Sequence, residues 1–288
     1  FATEGAAGYL VDINANDLAC MGARARWLLV TAMFPEGATE GDVETLFADL
    51  AAACRARAVS LVGGHTEVTP GIDRVLLVGM MLGETTEDRL LRPGGVQAGD
   101  DLYLARGIAI EGTALLARQL RDVLAPKLGD VVVERAAALF EEPGISVSNH
   151  AKILRRVPGV RALHDPTEGG LATGVREMLA ASECGGVLVR EATPVLPETA
   201  AVAEALGLDP LGMLASGALL LAADPAAAGP LREIAERYGI PLARIGSATP
   251  PSLGFVLRDA AGDVPLPEWT TDEVGRALLQ ASPSKARS

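Results

Sequence analysis

The sequence predicts an α/β chain, α+β in its local layering, folded as two domains. Three observations carry that expectation. Apolar β-like runs alternate with segments of helical periodicity in both halves of the chain. A stretch dense in turn formers, Arg92-Pro93-Gly94-Gly95-Val96-Gln97-Ala98-Gly99-Asp100, separates the halves. The chain has 288 residues, 49% apolar and 22% charged, which is enough for two globular cores and is not a disordered composition. The expected division is 1–95, 96–281 and a polar tail, 282–288, read as disordered.

The elements follow in order. Residues 8–13 alternate and read as a strand. Asn14, Asn16 and Asp17 then offer N-cap chemistry for a helix stopped by Gly22. Residues 27–34 form an apolar strand ended by Pro35. Residues 39–58 are an amphipathic helix, with Val43, Leu46, Phe47, Leu50 and Cys54 on one face. Residues 59–62 are a short strand running into a turn at Gly63-Gly64, and residues 75–82 are another strand. In the second half, strands are expected at 101–105, 186–190, 218–222, 243–247 and 254–257, with His164-Asp165 at the end of one more. Helices are expected at 112–124, 131–141, 171–181, 226–238 and 271–279.

Composition removes several function classes. The net charge is −12 and the pI near 4.8, so a nucleic-acid partner is disfavoured by repulsion from the phosphate backbone. A nucleotide can still bind where a metal and backbone N–H groups neutralise it locally. No apolar run reaches the roughly 18 residues of a membrane span, and no signal peptide is visible. Cys20, Cys54 and Cys184 are odd in number, far apart and without a CxxC, which predicts a reducing cytoplasm rather than disulfides or structural zinc. There is no Walker A, GxGxxG or GxSxG motif, so P-loop, Rossmann and serine-hydrolase readings fail. The chain begins at Phe1 without an initiator Met, and a further segment is expected upstream.

Three acid and glycine motifs remain. In the first, Asn16-Asp17-Leu18-Ala19-Cys20-Met21-Gly22-Ala23, Asp17 is either a helix-cap acid or a ligand for a hard divalent cation. In the second, Gly63-Gly64-His65-Thr66-Glu67, the glycines are either an ordinary turn or a backbone approach to phosphate oxygens. His65 there is a candidate substrate or phosphate contact, and Glu67 a candidate acid. In the third, His164-Asp165-Pro166-Thr167-Glu168-Gly169-Gly170-Leu171, Asp165 is a helix cap, a metal ligand or a base, and Gly169-Gly170 opens a second anion site. His150 reads as a surface or cap residue. Glu111-Gly112-Thr113 and Ser216-Gly217 are either turn and cap chemistry or cleft lining.

The three motifs, in this order, resemble those of the AIR (aminoimidazole ribonucleotide) synthetase-like superfamily, most closely its HypE-like members, as does Leu208-Asp209-Pro210-Leu211. The resemblance spans nearly the whole chain. It implies an N-terminal domain whose mixed sheet pairs with that of a second subunit, and a C-terminal α/β sandwich. It implies Mg-ATP as cofactor and transfer of the γ-phosphate to an amide-like or carbamoyl-like small molecule. By motif match, Asp17 and Asp165 would hold magnesium, and Asn16, Gly63, Gly64, Thr66, Gly169 and Gly170 would line the nucleotide site. His65, Glu67 and Asp165 are the candidate catalytic groups. The partners implied are a homodimer mate, the small substrate and a maturation protein. Two departures stand out. His65 replaces an acid of the family turn, with Glu67 as the nearby substitute, and no cysteine lies near Ser288. They keep open a second reading, a dimeric nucleotide-binding maturation protein with little turnover.

Overall fold

Apolar residues at helical spacing, not alternation, organise the start of the chain. In the computed structural model, which describes residues 5–281, Ala7, Leu10, Val11, Ala15 and Ala19 are buried along one face of α1 (Ala6–Cys20). The strand expected at 8–13 is therefore the first half of a helix. The supposed N-cap at Asn14 to Asp17 lies inside it. Asn14 Nδ2 donates to the Leu10 carbonyl at 2.9 Å, satisfying its amide within the helix. Asn16 and Asp17 fall in the last turns instead, and Gly22, at φ 78°, ends the helix as its sequence position predicts.

The chain divides into two compact units, Phe1–Leu90 and Leu91–Ser288. In the first, β1 (Arg24–Phe34) is the central strand, followed by α2 (Glu40–Ala56), β2 (Ser60–Val68) and β3 (Leu76–Glu84). The sheet order is β2-β1-β3, with β2 parallel and β3 antiparallel to β1. A parallel β1–β2 pair needs a crossover, and α2 supplies it. Thr39 and Asp42 close a capping box at its start: Thr39 N donates to Asp42 Oδ2 at 2.8 Å, and Asp42 N to Thr39 Oγ1 at 3.2 Å.

One face of this sheet meets the helices through Leu28, Val30 and Met81, which pack with Leu10, Val11, Leu50 and Cys54. The other face is open. Val78, Met80 and Leu82 expose 58%, 64% and 48% of their surface, a continuous apolar run along β3.

Gly63 and Gly64 do not form the expected turn. They continue β2, paired with Leu29 and Val30 after a register shift. A Cβ on Gly64 would lie 1.8 Å from the Val30 carbonyl oxygen, and Gly64 sits at φ 143°, so glycine is what allows the strand to pass here.

The second unit holds a seven-stranded sheet. Its elements are β4 (Asp101–Ala105), α3 (Ile110–Gln119), α4 (Arg121–Leu128), α5 (Asp130–Ala138), α6 (Ser148–Leu154), β5 (Val160–His164), α7 (Gly170–Ala180), β6 (Gly185–Val189), α8 (Pro197–Leu206), β7 (Leu219–Ala223), α9 (Ala228–Arg237), β8 (Leu242–Thr249), β9 (Phe255–Asp259), β10 (Gly262–Pro265) and α10 (Glu273–Ala281). The strand order is β10-β9-β6-β8-β4-β7-β5. Leu102, Leu104, Leu220 and Ala222 pack on Leu171, Val175 and Met178 of α7. A second core joins α3, α5, α8 and α10 through Leu116, Val133, Val202 and Val274.

The single helix expected at 112–124 is two helices, broken where Leu120 leaves helical geometry at φ −113°, ψ 29°. α6, α8 and β10 have no counterpart in the sequence reading. The tail at 282–288 lies outside the described residues. Among the described residues the three cysteines are buried, and no helix is long and apolar enough to cross a membrane.

Gly64→Ala is expected to destabilise the first unit by about 3 kcal/mol, because backbone rather than a movable side chain occupies the space a methyl would need. A lowered urea midpoint for the variant checks it.

Candidate functional site

Strand direction assembles the best-defined candidate site, in the second unit. β7 is antiparallel to both β4 and β5, so β4 and β5 run the same way. Their carboxyl ends, Ala105 and His164, therefore emerge at the edge where β7 begins. Three segments meet at that edge: the approach to α3, the Asp165–Gly170 loop entering α7, and the 214–217 loop entering β7. Backbone bonds join them. Ala215 N donates to the Thr167 carbonyl at 3.0 Å, Glu111 N to Ser216 O at 3.2 Å, and Gly112 N to Leu214 O at 3.1 Å. The N-termini of α3 and α7 both lie at the edge that carries Asp165. Ligand sites in open α/β sheets form at such carboxyl ends, where helix N-termini favour negative charge.

Asp165 is 7% exposed, Glu111 1% and Ser216 3%. Gly170 has φ 70°, and a Cβ there would lie 2.3 Å from the Leu211 carbonyl, so only glycine brings this loop against the next one. The amides of the glycine pair point inward. Gly170 N donates to Thr167 O at 3.1 Å and Gly169 N to Asp272 Oδ2 at 2.8 Å. His164 pairs with α7, its Nε2 3.0 Å from Glu177 Oε2.

A strained, cationic corner adjoins the α3 start. Arg106 and Ala109 both have positive φ, 72° and 57°. The Arg106 guanidinium is buried and donates to the carbonyls of Gly144, at 2.6 Å, and Ser146, at 3.1 Å. Burial pushes its pKa down to about 10. His150, in the first turn of α6, is half-buried rather than a surface group, and its buried Nδ1 has no hydrogen-bond partner among the described residues. Burial, and then the charge of Arg106, hold its pKa below the ordinary value. Ser216 Oγ is likewise buried without a partner.

In the first unit, Asn16 is buried and Asp17 exposed at the end of α1. An acid at a helix C-terminus cannot be a dipole-stabilised cap, so the first-turn reading of Asp17 falls. His65 and Glu67 lie on β2 opposite Thr31 and Met33, not on a loop. Strand alternation directs them to the open face, whereas α1 covers the other. His65 Nε2 lies 3.2 Å from Glu67 Oε2, and Thr69 Oγ1 donates to Glu67 Oε1 at 3.0 Å. These bonds lower the Glu67 pKa, a poor setting for a general acid. Thr66, on the alternate face, pairs with Ala32.

Sequence reasoning missed Asp272, whose carboxylate also accepts from Leu214 N at 3.2 Å and Val274 N at 2.8 Å. Its place before the apolar spacing of Val274 and Ala277 marks a helix start, which is as far as the sequence signal goes.

Comparison with known proteins follows the same division. Residues 97–257 match the family model described as AIR synthase related protein, C-terminal domain, and residues 2–85 match its N-terminal counterpart. The carbamoyl dehydratase HypE of Cupriavidus necator is 32% identical over 265 residues, covering 90% of this chain and 72% of that protein. The crystal structure of Escherichia coli HypE aligns with a TM-score of 0.80 at 24% identity, over 94% of this chain and 82% of that one. A crystal structure of the hydrogenase maturation protein HypE in complex with ATP aligns with a TM-score of 0.77 at 24% identity, over 93% and 80%. At that identity the two structures show a shared fold.

The His150 shift gives a pH test. Its folded pKa is depressed, so the stability it contributes as a neutral ring is present above the unfolded value near 6.5 and is lost as pH falls through it. Urea midpoints measured from pH 7.5 to 5 should fall less steeply for His150→Gln than for the unaltered chain.

Proposed function

The chain belongs to the AIR synthase-like superfamily and is HypE-like within it, and on that premise we propose that it is a Mg-ATP-dependent enzyme. It uses the γ-phosphate to activate an amide-like, carbamoyl-like or other small acceptor. The observation that carries this reading is the meeting of Asp165 with two helix N-termini at one sheet edge, an arrangement suited to a metal-neutralised anion. The donors fit magnesium of this kind. Among the described residues no group of three or more His, Cys, Asp or Glu side chains is poised to cage a metal. Magnesium that arrives with a nucleotide needs only one or two carboxylates, and its other ligands are phosphate oxygens and water. Asp165 in the second unit and, separately, Asp17 in the first are each proposed as such a carboxylate. When bound, magnesium and ATP supply charge neutralisation and the transferable phosphoryl group.

The ATP complex of HypE supports the nucleotide, and the HypE carbamoyl dehydratases support the class of acceptor. The open apolar face of the first unit supports a homodimer, since Val78, Met80 and Leu82 are a costly surface to leave in water. The inward glycine amides favour one alternative, a nucleotide-binding maturation protein with little turnover, because they leave fewer donors for a transferring phosphate.

Titration calorimetry with Mg-ATP is expected to show binding that Asp17→Asn and Asp165→Asn each weaken about tenfold or more, roughly 1.4 kcal/mol. Equal affinity in well-folded variants would overturn the metal assignment. ADP release with a carbamoyl or amide acceptor separates the enzyme from the low-turnover protein. Met80→Glu is expected to halve the mass seen by light scattering.

A further inference from the structure

The site edge of the second unit is backed by a segment that lies beyond the matched residues 97–257. The indole of Trp269 lies against the backbone of Gly212, and Val274 against that of Gly112, each too close to admit a Cβ between them. Glu273 Oε1 accepts from Asp209 N at 3.2 Å, and Arg276 Nη2 donates to Gly207 O at 2.9 Å. Asp272 lies at the centre of this segment. Its Oδ2 takes the Gly169 amide, and its Oδ1 takes those of Leu214 and Val274.

Helix capping accounts for only one of these bonds. Asp272 precedes α10, and the bond from Val274 N is the ordinary N-cap contact. The other two amides belong to separate loops, 103 and 58 residues away in sequence. Those are the loop that carries Asp165 and the 214–217 loop bonded to it, and each needs its backbone held where the sheet edge delivers it. A buried peptide N–H left without an acceptor costs about 1–3 kcal/mol, so the two loops gain by closing on the same carboxylate.

We propose that Asp272 is a positioning residue for the site, a single carboxylate that locks the Asp165–Gly170 loop and the 214–217 loop in mutual register. This rests on the reading of that edge as the nucleotide and acceptor site. Gly169 is fixed by Asp272 on one side of the loop, and Thr167 O by Ala215 N on the other, so Asp165 is carried by a loop held at two points. Loss of the carboxylate releases both loops while leaving the sheet and α10 in place.

The test uses the full chain with Asp272→Ser and Asp272→Asn. Serine keeps an N-cap hydroxyl for Val274 N but cannot span to Gly169 and Leu214. Asparagine keeps one acceptor oxygen and turns an NH₂ toward the Gly169 amide. Hydrogen exchange is read by mass spectrometry on peptides covering 166–173 and 211–217, alongside melting temperature and Mg-ATP affinity. The expected result for Asp272→Ser is exchange at least about tenfold faster in both peptides, with the α10 peptide unchanged. Its melting temperature should fall by about 4 °C or more with the transition still cooperative, and Mg-ATP affinity should fall about tenfold. Asp272→Asn should loosen the 166–173 peptide alone. Unchanged exchange in both peptides would overturn the proposal whether or not nucleotide binds. So would faster exchange with undiminished Mg-ATP affinity, which would make Asp272 merely structural. If the unaltered chain binds no Mg-ATP while exchange responds, the clamp stands and the nucleotide reading fails.

Discussion

The direction of β7 is the constraint on which the second unit depends. Because it opposes both β4 and β5, the loops leaving those two strands share one edge with the loop that enters β7 itself. Had β7 run the other way, Asp165 and the start of α3 would still share an edge, but the 214–217 loop that ties them together would enter at the far side. The bonds from Ala215, Glu111 and Gly112 are consequences of this placement.

Close backbone approach follows from the same crowding. Gly170, Gly212 and Gly112 let three loops and the Trp269–Val274 segment touch without side chains between them. Arg106 shows what such a corner demands of a charged residue. Its guanidinium is kept inside by carbonyl oxygens of one turn, on a backbone in the left-handed region. The first unit is crowded elsewhere, between its strands and against α1: a Cβ on Gly83 would lie 2.8 Å from the Arg24 carbonyl oxygen, and one on Gly79 2.9 Å from Asn14 Nδ2. Its glycine at 64 is what lets β2 pair closely with Val30.

Much of this was readable in the residues, and the misses have physical causes. Residues 39–58 declared a helix because Thr39, Asp42 and the Leu46, Leu50, Cys54 stripe all agree. The strand at 101–105 and the glycine before α7 were equally legible. The opening helix was not, because Tyr9 to Ile13 taken alone alternates as well as it coils, and Asn14 to Asp17 imitates a cap. The longer burial pattern from Ala7 to Ala19 decides the matter. Gly63-Gly64 misled because a glycine pair after an apolar run signals a turn locally, whereas the deciding contact, with Val30, is made across the sheet. Asp165 was visible as an acid before a glycine pair. Asp272 was not, since its partners at 169 and 214 are distant in sequence and are backbone amides, which carry no residue signature.

The chain has two tryptophans, and the fold gives one to each unit. Trp27 lies in β1, paired with Leu82 of the exposed apolar run. Trp269 presses its ring on Gly212, beneath the loop that leads to Ser216. Intrinsic emission therefore carries two separable reporters without any label. Once either indole is replaced by phenylalanine, the remaining signal follows a single event: burial of the β1–β3 surface through Trp27, or movement of the 209–214 loop through Trp269.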